Sequence, residues 1–388
     1  MSNLPNQPLR SIVEQREIIV CVGSGGVGKT TTSAVIGLHA ALQGKRVLVL
    51  TIDPARRLAN SLGIQAIGSD PAPIPLERFQ EIGLEPKGTM HAMMLDMKHS
   101  FDDLVERYSP DADAKRRILQ NKLYQYFSTS LAGTQEYAAA EKLYELYMSK
   151  NYDLIVLDTP PTSHALDFLE APNRLIEALN SRAMQFLYKP GRASLLGVGT
   201  GYVIKTLSKF TGSELIEELG GFLKAFSTLF KGFQERAGKV RELLTSDRAT
   251  FCVVTAPNAG NIDEALYFYD KLGGDERALV GAFVTNRVHP SWVPVEELAM
   301  PSLQIASELS DHALFEGLSP EERKDFARNL RLNASQFQVL ADLDRESIAR
   351  LSDKLPRDLP VLQVPYFSHD IHSLRGLDHV RRALFGET

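Results

Sequence analysis

Between residues 23 and 31 the chain reads Gly-Ser-Gly-Gly-Val-Gly-Lys-Thr-Thr, residue types and spacing suited to gripping a polyphosphate. Gly23, four further residues and then Gly28-Lys29-Thr30 satisfy the phosphate-loop pattern. Glycines let the backbone turn without a Cβ clash, so successive N–H groups can face one anion. A helix beginning there adds its own first-turn N–H groups and the positive end of its dipole. In such a loop Lys29 reaches the β- and γ-phosphates and the Thr30 hydroxyl ligates Mg²⁺. An ordinary glycine turn lacks the required context, an apolar strand before and an amphipathic helix after, and both are present here.

Two carboxylates stand where they could complete that chemistry. Asp53 ends the apolar run Arg46 to Ile52, and Asp158 ends the run Tyr152 to Leu157. In an open parallel sheet, ligands gather at the carboxyl ends of the strands. An aspartate there can ligate Mg²⁺ or orient water. An aspartate before proline or threonine also makes a turn or a helix cap, so the residue type leaves both roles open.

The elements that must position these groups follow from periodicity. Strand Glu17 to Val22 feeds the loop, and a helix from Gly28 to about Gln43 follows, with Val35, Leu38 and Leu42 on one face and Gly44 at its end. Residues 61–78 read as a surface loop in which Pro71, Pro73 and Pro75 exclude regular structure. Phe79 to Leu84 and Met90 to Met97 read as strands, His99 to Lys150 as helical, Tyr152 to Leu157 as a buried strand and 164–247 as mostly helical. Thr250 to Thr255, Ala278 to Thr285 and Pro360 to Val364 complete the strands, with helix across Val293 to Ser352. Residues 1–16 read as a loose arm with at most one helical turn. This alternation predicts an α/β fold, the doubly wound, mostly parallel sheet of a phosphate-loop NTPase with an inserted helical subdomain. The expected organisation is a single ATPase domain over 17–388, with the helical subdomain drawn from 99–150 and 173–247.

Bulk properties narrow the class. The chain has 388 residues, 44% of them hydrophobic and 23% charged, with a net charge of −5, which argues against a nucleic-acid-binding surface. The polar N-terminus has no apolar leader, and no stretch of 18 uncharged apolar residues occurs, so a cytoplasmic protein with no transmembrane segment is expected. The two cysteines, Cys21 and Cys252, fall inside predicted strands, as buried core thiols would, and not as a disulfide or a metal pair.

The strings GSGGVGKTT, IDPARRLANSLG and DTPPTSHALDFLEAP, followed late in the chain by Val284-Thr285-Asn286-Arg287 and Val364-Pro365-Tyr366, resemble the ArsA-type family of anion-transporting ATPases. That family includes the arsenite-pump ATPase and the eukaryotic ATPase that delivers tail-anchored membrane proteins. The resemblance implies Mg²⁺-dependent ATP hydrolysis by a dimer, of like chains or with a related ATPase. It implies that Gly25, Gly26, Val27, Gly28, Lys29, Thr30 and Thr31 bind the phosphates. Thr30 and Asp158 would serve Mg²⁺, and Asp53 would orient or deprotonate the attacking water. Asn286 would read the adenine edge between Pro365 and Tyr366. Glu264, next to Asp263, falls where the family often carries an acidic residue, and His164 matches the histidine after its second switch, where a structural role is the plainer one.

Three departures from the family pattern matter. The family's additional loop lysine is Ser24 here, and a lost cation at a phosphoryl-transfer centre removes several kcal/mol of stabilisation, to order of magnitude. Arg56 and Arg57, just after Asp53, are the nearest cations in sequence; a replacement role fits them, as does plain solvation or salt-bridging, and a partner chain of the same family carrying the lysine is the third alternative. No Cys-x-x-Cys pair exists to clamp a dimer through zinc. Two cysteines do not make a soft-thiolate arsenite site. The apolar helices of 173–240, for example Leu219, Phe222, Leu223, Phe226 and Phe230, fit either a packed core or a groove for a hydrophobic protein client. A positioning switch of the partition and division-site type, or a nucleotide-binding scaffold with negligible turnover, are the competing outputs.

Overall fold

The computed structural model describes residues 7–52, 57–64, 67–122, 124–125, 128, 134–159, 177, 230–272, 279–291, 300–308, 312, 317–368 and 370–387. An eight-stranded sheet runs through them in the order β3-β4-β2-β5-β1-β6-β7-β8. The strands are β1 (Ile18–Val22), β2 (Arg46–Thr51), β3 (Ala72–Pro73), β4 (Thr89–Met94), β5 (Leu154–Asp158), β6 (Ala249–Thr255), β7 (Val280–Val288) and β8 (Val361–Pro365). Every pairing is parallel except β3 with β4. β1 is central, flanked by β5 and β6, and all five of its residues are buried.

That burial is two-sided. Ile18, Val20 and Val22 join the core on one face, while Ile19 and Cys21 join the core on the other. Side chains alternate along a strand, so a strand covered by helices on both faces must be apolar throughout. One face carries α1 (Gln7–Gln15), α2 (Lys29–Leu42), α3 (Arg57–Leu62), the short α4 (Leu76–Gln80) and α12 (Leu374–Phe385). The other carries α5 (Met97–Tyr108), α6 (Ala112–Leu119), α7 (Thr134–Met148), α8 (Phe230–Leu244) and α9 (Ala259–Leu272), together with the C-terminal end of α11 (Pro320–Asp353). The short α10 (Ser302–Glu308) packs against α11. α11 has 34 residues, about 50 Å of helix. It starts at a capping box, in which the Ser319 hydroxyl accepts from Glu322 N–H and the Glu322 carboxylate accepts from Ser319 N–H, with Pro320 in the first turn.

Four sequence expectations change. The N-terminal arm contains a nine-residue helix, α1. Leu9 and Val13 are fully buried from it, and Arg10 donates to the Phe385 carbonyl at 2.8 Å, so tertiary contacts hold a helix too short to persist alone. Phe79 to Leu84 is not a strand: Pro75 caps α4, and the chain then turns through Gly83 at φ 76. Within the proline-rich 61–78 stretch, Ala72 and Pro73 pair antiparallel with β4 as an edge strand, a position where proline is tolerated. Met97 opens α5 instead of ending β4, because Asp96 accepts from the His99 N–H as an N-cap.

Cys21 and Cys252 are register partners on β1 and β6, buried and unlinked. The hydrogen bond between them and burial push the Cys21 thiol above its usual range, which keeps it protonated and inert. No helix among the described residues is long and apolar enough to cross a membrane. Asp53, Arg56, His164 and residues 173–176 and 178–229 of the apolar 173–240 segment lie outside the described residues, as does the side chain of Arg57.

Candidate phosphate and base site

The phosphate loop joins β1 to α2 at the carboxyl edge of the sheet. Gly23 sits at φ 150, where a Cβ would lie 2.0 Å from the Val254 carbonyl oxygen, so only glycine lets the loop leave β1 beside β6. Gly28 is the N-cap of α2 at φ 100 and has no side chain to cap the first turn. A helix start without a side-chain cap is the kind of place where backbone N–H groups bind anions. Lys29 is buried, and its ammonium donates to the carbonyls of Gly23 at 2.9 Å and Ser24 at 2.8 Å. The loop's cation is thus fixed across the loop's own turn.

Asp158 lies one strand away, at the end of β5, and is fully buried. Its Oδ2 accepts from the Thr30 hydroxyl at 2.7 Å and from the Thr51 hydroxyl at 2.9 Å. Three strand or helix ends, β2, β5 and α2, thus meet on one carboxylate. A hydroxyl and a carboxylate are the hard oxygen donors that Mg²⁺ prefers, in a partial set completed by water and phosphate oxygens. The residues present fit the ion. Thr159 donates its hydroxyl to the Cys21 carbonyl at 2.8 Å, tying the chain after Asp158 to β1.

A cavity of about 720 Å³ opens from this point, lined by Gly26, Gly28, Lys29, Thr30 and Thr31 at one end and by Pro365, Tyr366 and Phe367 at the other. Of the loop residues expected at the phosphates, Gly25 sits on the exposed turn, and Val27 is buried in the core. Asn60 and Ser61 of α3 border the cavity, so the segment that follows Asp53 returns to it. Asn286 borders it too, with its amide engaged at both ends: Nδ2 donates to the Val27 carbonyl at 2.9 Å, and Oδ1 accepts from the Arg287 N–H at 3.0 Å. Glu264 is exposed on α9, and Asp263 pairs with Arg350 at 3.1 Å, so neither borders the cavity.

Three groups at the site escape a reading of the sequence. Ser24, expected only as the site of a missing charge, donates its hydroxyl to Asn261 Oδ1 at 2.9 Å, tethering the loop to α9. Thr51 shares Asp158, which a threonine ending a buried strand could have flagged. Behind Tyr366 stands His289, its ring stacked on the tyrosine at 5.0 Å. Asp344 of α11 holds that histidine, accepting from its backbone N–H at 2.7 Å with Nδ1 at 2.8 Å from the same oxygen. Nothing in the local sequence around His289 announces a partner 55 residues away.

A glycine loop and buried lysine at the carboxyl edge of a parallel sheet, beside a threonine–aspartate pair, define a phosphate-loop nucleotide-binding protein. The family model described as anion-transporting ATPase matches residues 16–290, and the chain belongs to that family. It is 32% identical over 205 residues to ATPase get3 of Aspergillus terreus, covering 51% of this chain and 56% of that protein. It is 30% identical over 175 residues to ATPase GET3 of Malassezia globosa, covering 44% and 47% respectively. A third relative, ATPase GET3 of Podospora anserina, is 31% identical over 173 residues, covering 44% and 48%. The matches span about half the length of these curated relatives.

Proposed function

We propose that the chain binds ATP with Mg²⁺ in this cavity and hydrolyses it, as the family description and the relatives' names as ATPases suggest. The observation that carries the reading is that Lys29 and Thr30 line one end of a cavity whose other end is lined by Pro365 and Tyr366, with the Thr30 hydroxyl bonded to the buried carboxylate of Asp158. The phosphates would lie on the loop from Gly25 to Thr31, with the base toward Pro365, Tyr366 and Asn286. Thr30 and Asp158 would hold Mg²⁺, which supplies charge neutralisation on the phosphates. Lys29 and the first-turn N–H groups of α2 would carry the charge that develops as the γ-phosphate leaves. Asp53, in the segment between β2 and α3, would align the attacking water.

The finer part of the proposal concerns output. In this reading the protein is a cytoplasmic dimer, with a second copy or a related ATPase chain. Nucleotide turnover would switch segments that begin after Asp53 and Asp158, and the switch would handle a hydrophobic protein client or a membrane-associated partner. Support for it comes from family membership and from the way α3 and Thr159 border the cavity directly downstream of those strand ends.

Phosphate release from ATP tests the chemistry. The expected result is turnover with magnesium and none with a chelator, lowered roughly a hundredfold in Asp53→Asn. Unchanged turnover in Asp53→Asn would remove Asp53 from the mechanism. ATP binding without any turnover in the wild type would make the protein a nucleotide-gated scaffold.

A further inference from the structure

Arg287 is the residue that the pairing of β7 with β8 skips. Asn286 lies opposite Val364 and Val288 opposite Pro365, leaving Arg287 as a bulge. Its backbone sits at φ 63, in the left-handed region where an L side chain crowds its own carbonyl and where glycine or asparagine sits more easily. The bulge is pinned on both sides: the Arg287 N–H donates to Asn286 Oδ1, and the Tyr366 N–H donates to the Val288 carbonyl at 2.8 Å. Bulges beside sites re-aim a side chain, and a strained residue retained at such a place points to use.

The use is visible in where the guanidinium goes. Arg287 borders the 720 Å³ cavity and is exposed there. Its guanidinium makes no hydrogen bond or ion pair with another described residue. Lys29, a second basic side chain among the described residues of the lining, is by contrast buried and bound to loop carbonyls. Arg287 also stands at a joint. The residue before it touches the phosphate loop at Val27, and the residue after it holds the Tyr366 wall. A nucleotide filling both ends of the cavity would bring the phosphate nearest its ribose to that joint. A planar guanidinium is well shaped to grip two phosphate oxygens at once.

We infer that Arg287 is a nucleotide-binding residue whose guanidinium contacts the phosphate nearest the ribose, adding positive charge to a site whose loop carries serine at position 24. The inference rests on the ATP-site reading above.

The test compares Arg287→Gly and Arg287→Lys with the wild type, measuring ATP and adenosine binding by competition with a fluorescent ATP analogue, and melting temperature. Glycine removes the charge and also relieves the φ 63 backbone, so a structural role and a binding role move in opposite directions. The expected result is a melting temperature equal to or above wild type, ATP affinity down about tenfold or more, and adenosine affinity within roughly twofold, with lysine intermediate. ATP affinity within roughly twofold of wild type in Arg287→Gly would overturn the assignment. So would an equal loss for adenosine, which would move the contact to the base. A wild-type chain that binds no ATP would overturn the cavity's assignment and the role of Arg287 with it.

Discussion

The two ends of the cavity are built by different means. The phosphate-loop end is nearly continuous in sequence: β1, the glycine loop and the start of α2 fall within residues 18–31, and Asp158, Thr51 and the Asn261 partner of Ser24 join them from elsewhere. The base end is assembled from a bulge in β7, the turn after β8 and a carboxylate on α11, with partners separated by 55 residues in His289 and Asp344. The phosphate-loop end is fixed by backbone conformation, with glycines at positive φ and a helix start that no side chain caps. The base end is fixed by packing, because a flat wall needs rings stacked and held from behind. Damage at the first should therefore remove chemistry, and damage at the second should weaken binding.

The largest expected effect tests the first half of that contrast. Lys29→Ala should lower ATP hydrolysis by roughly a thousandfold with little change in fold content by circular dichroism. Retention of most of the wild-type rate would mean that the loop's cation is not where the developing charge is met.

Next comes α2, the helix that begins at the phosphate loop. His39, on α2, stacks on Phe385 of α12 at 3.6 Å, and its Nδ1 has no hydrogen-bond partner. Burial is the main cause that lowers its pKa from 6.5 to about 4. Between those values the unfolded chain takes up a proton that the folded one refuses. The histidine's contribution is therefore fully present above pH 6.5 and is lost as pH falls toward 4. The loss amounts to about 3 kcal/mol. Urea melts across that range should show the decline, and His39→Phe should flatten it. An equal slope in the variant would assign the acid sensitivity to other groups.

The ends touch directly at Gly28 and Asn286. A Cβ on Gly28 would lie 2.1 Å from Asn286 Nδ2, at a backbone φ of 100. Gly28→Ala should cost about 2 kcal/mol of stability. Because the Asn286 Cβ itself is 4.0 Å away, adding Asn286→Ala should relieve the steric part. The double variant should then be more stable than the sum of the two singles. Strict additivity would show that strained φ, not the contact, sets the penalty.

The smallest effect belongs to the support behind the base wall. Asp344→Asn weakens the hold on His289 and hence on Tyr366, so the KM for ATP should rise about threefold to tenfold with kcat near wild type. A fall in kcat at unchanged KM would place α11 in the chemistry instead of the binding.

The same contrast explains which parts of the molecule are legible in the order of its residues. The loop, its strand and its helix are legible because their requirements are local: glycine where φ is positive, an apolar run where both faces are covered, a lysine and a threonine at fixed offsets. The parallel sheet follows from the alternation of such runs with helical stretches. The α1 helix is not legible, since nine residues gain their order from burying Leu9 and Val13 against distant elements. The edge strand at Ala72–Pro73 is hidden by a proline that central pairing would forbid and an edge allows. Ser24 reads as a loss of charge, and only the placement of α9 gives its hydroxyl a partner in Asn261.

The order of residues alone determined the phosphate-loop class of this protein, the strand that feeds the loop and the placing of the Asp158 carboxylate at the end of an apolar strand, because each depends on backbone geometry within a few residues. Folding in three dimensions decided which side chains share that carboxylate, how β7 bulges to turn Arg287 toward the cavity, and that Asp344 holds the ring behind Tyr366. Those outcomes depend on which strands lie side by side and in what register, and no short stretch of sequence contains that information.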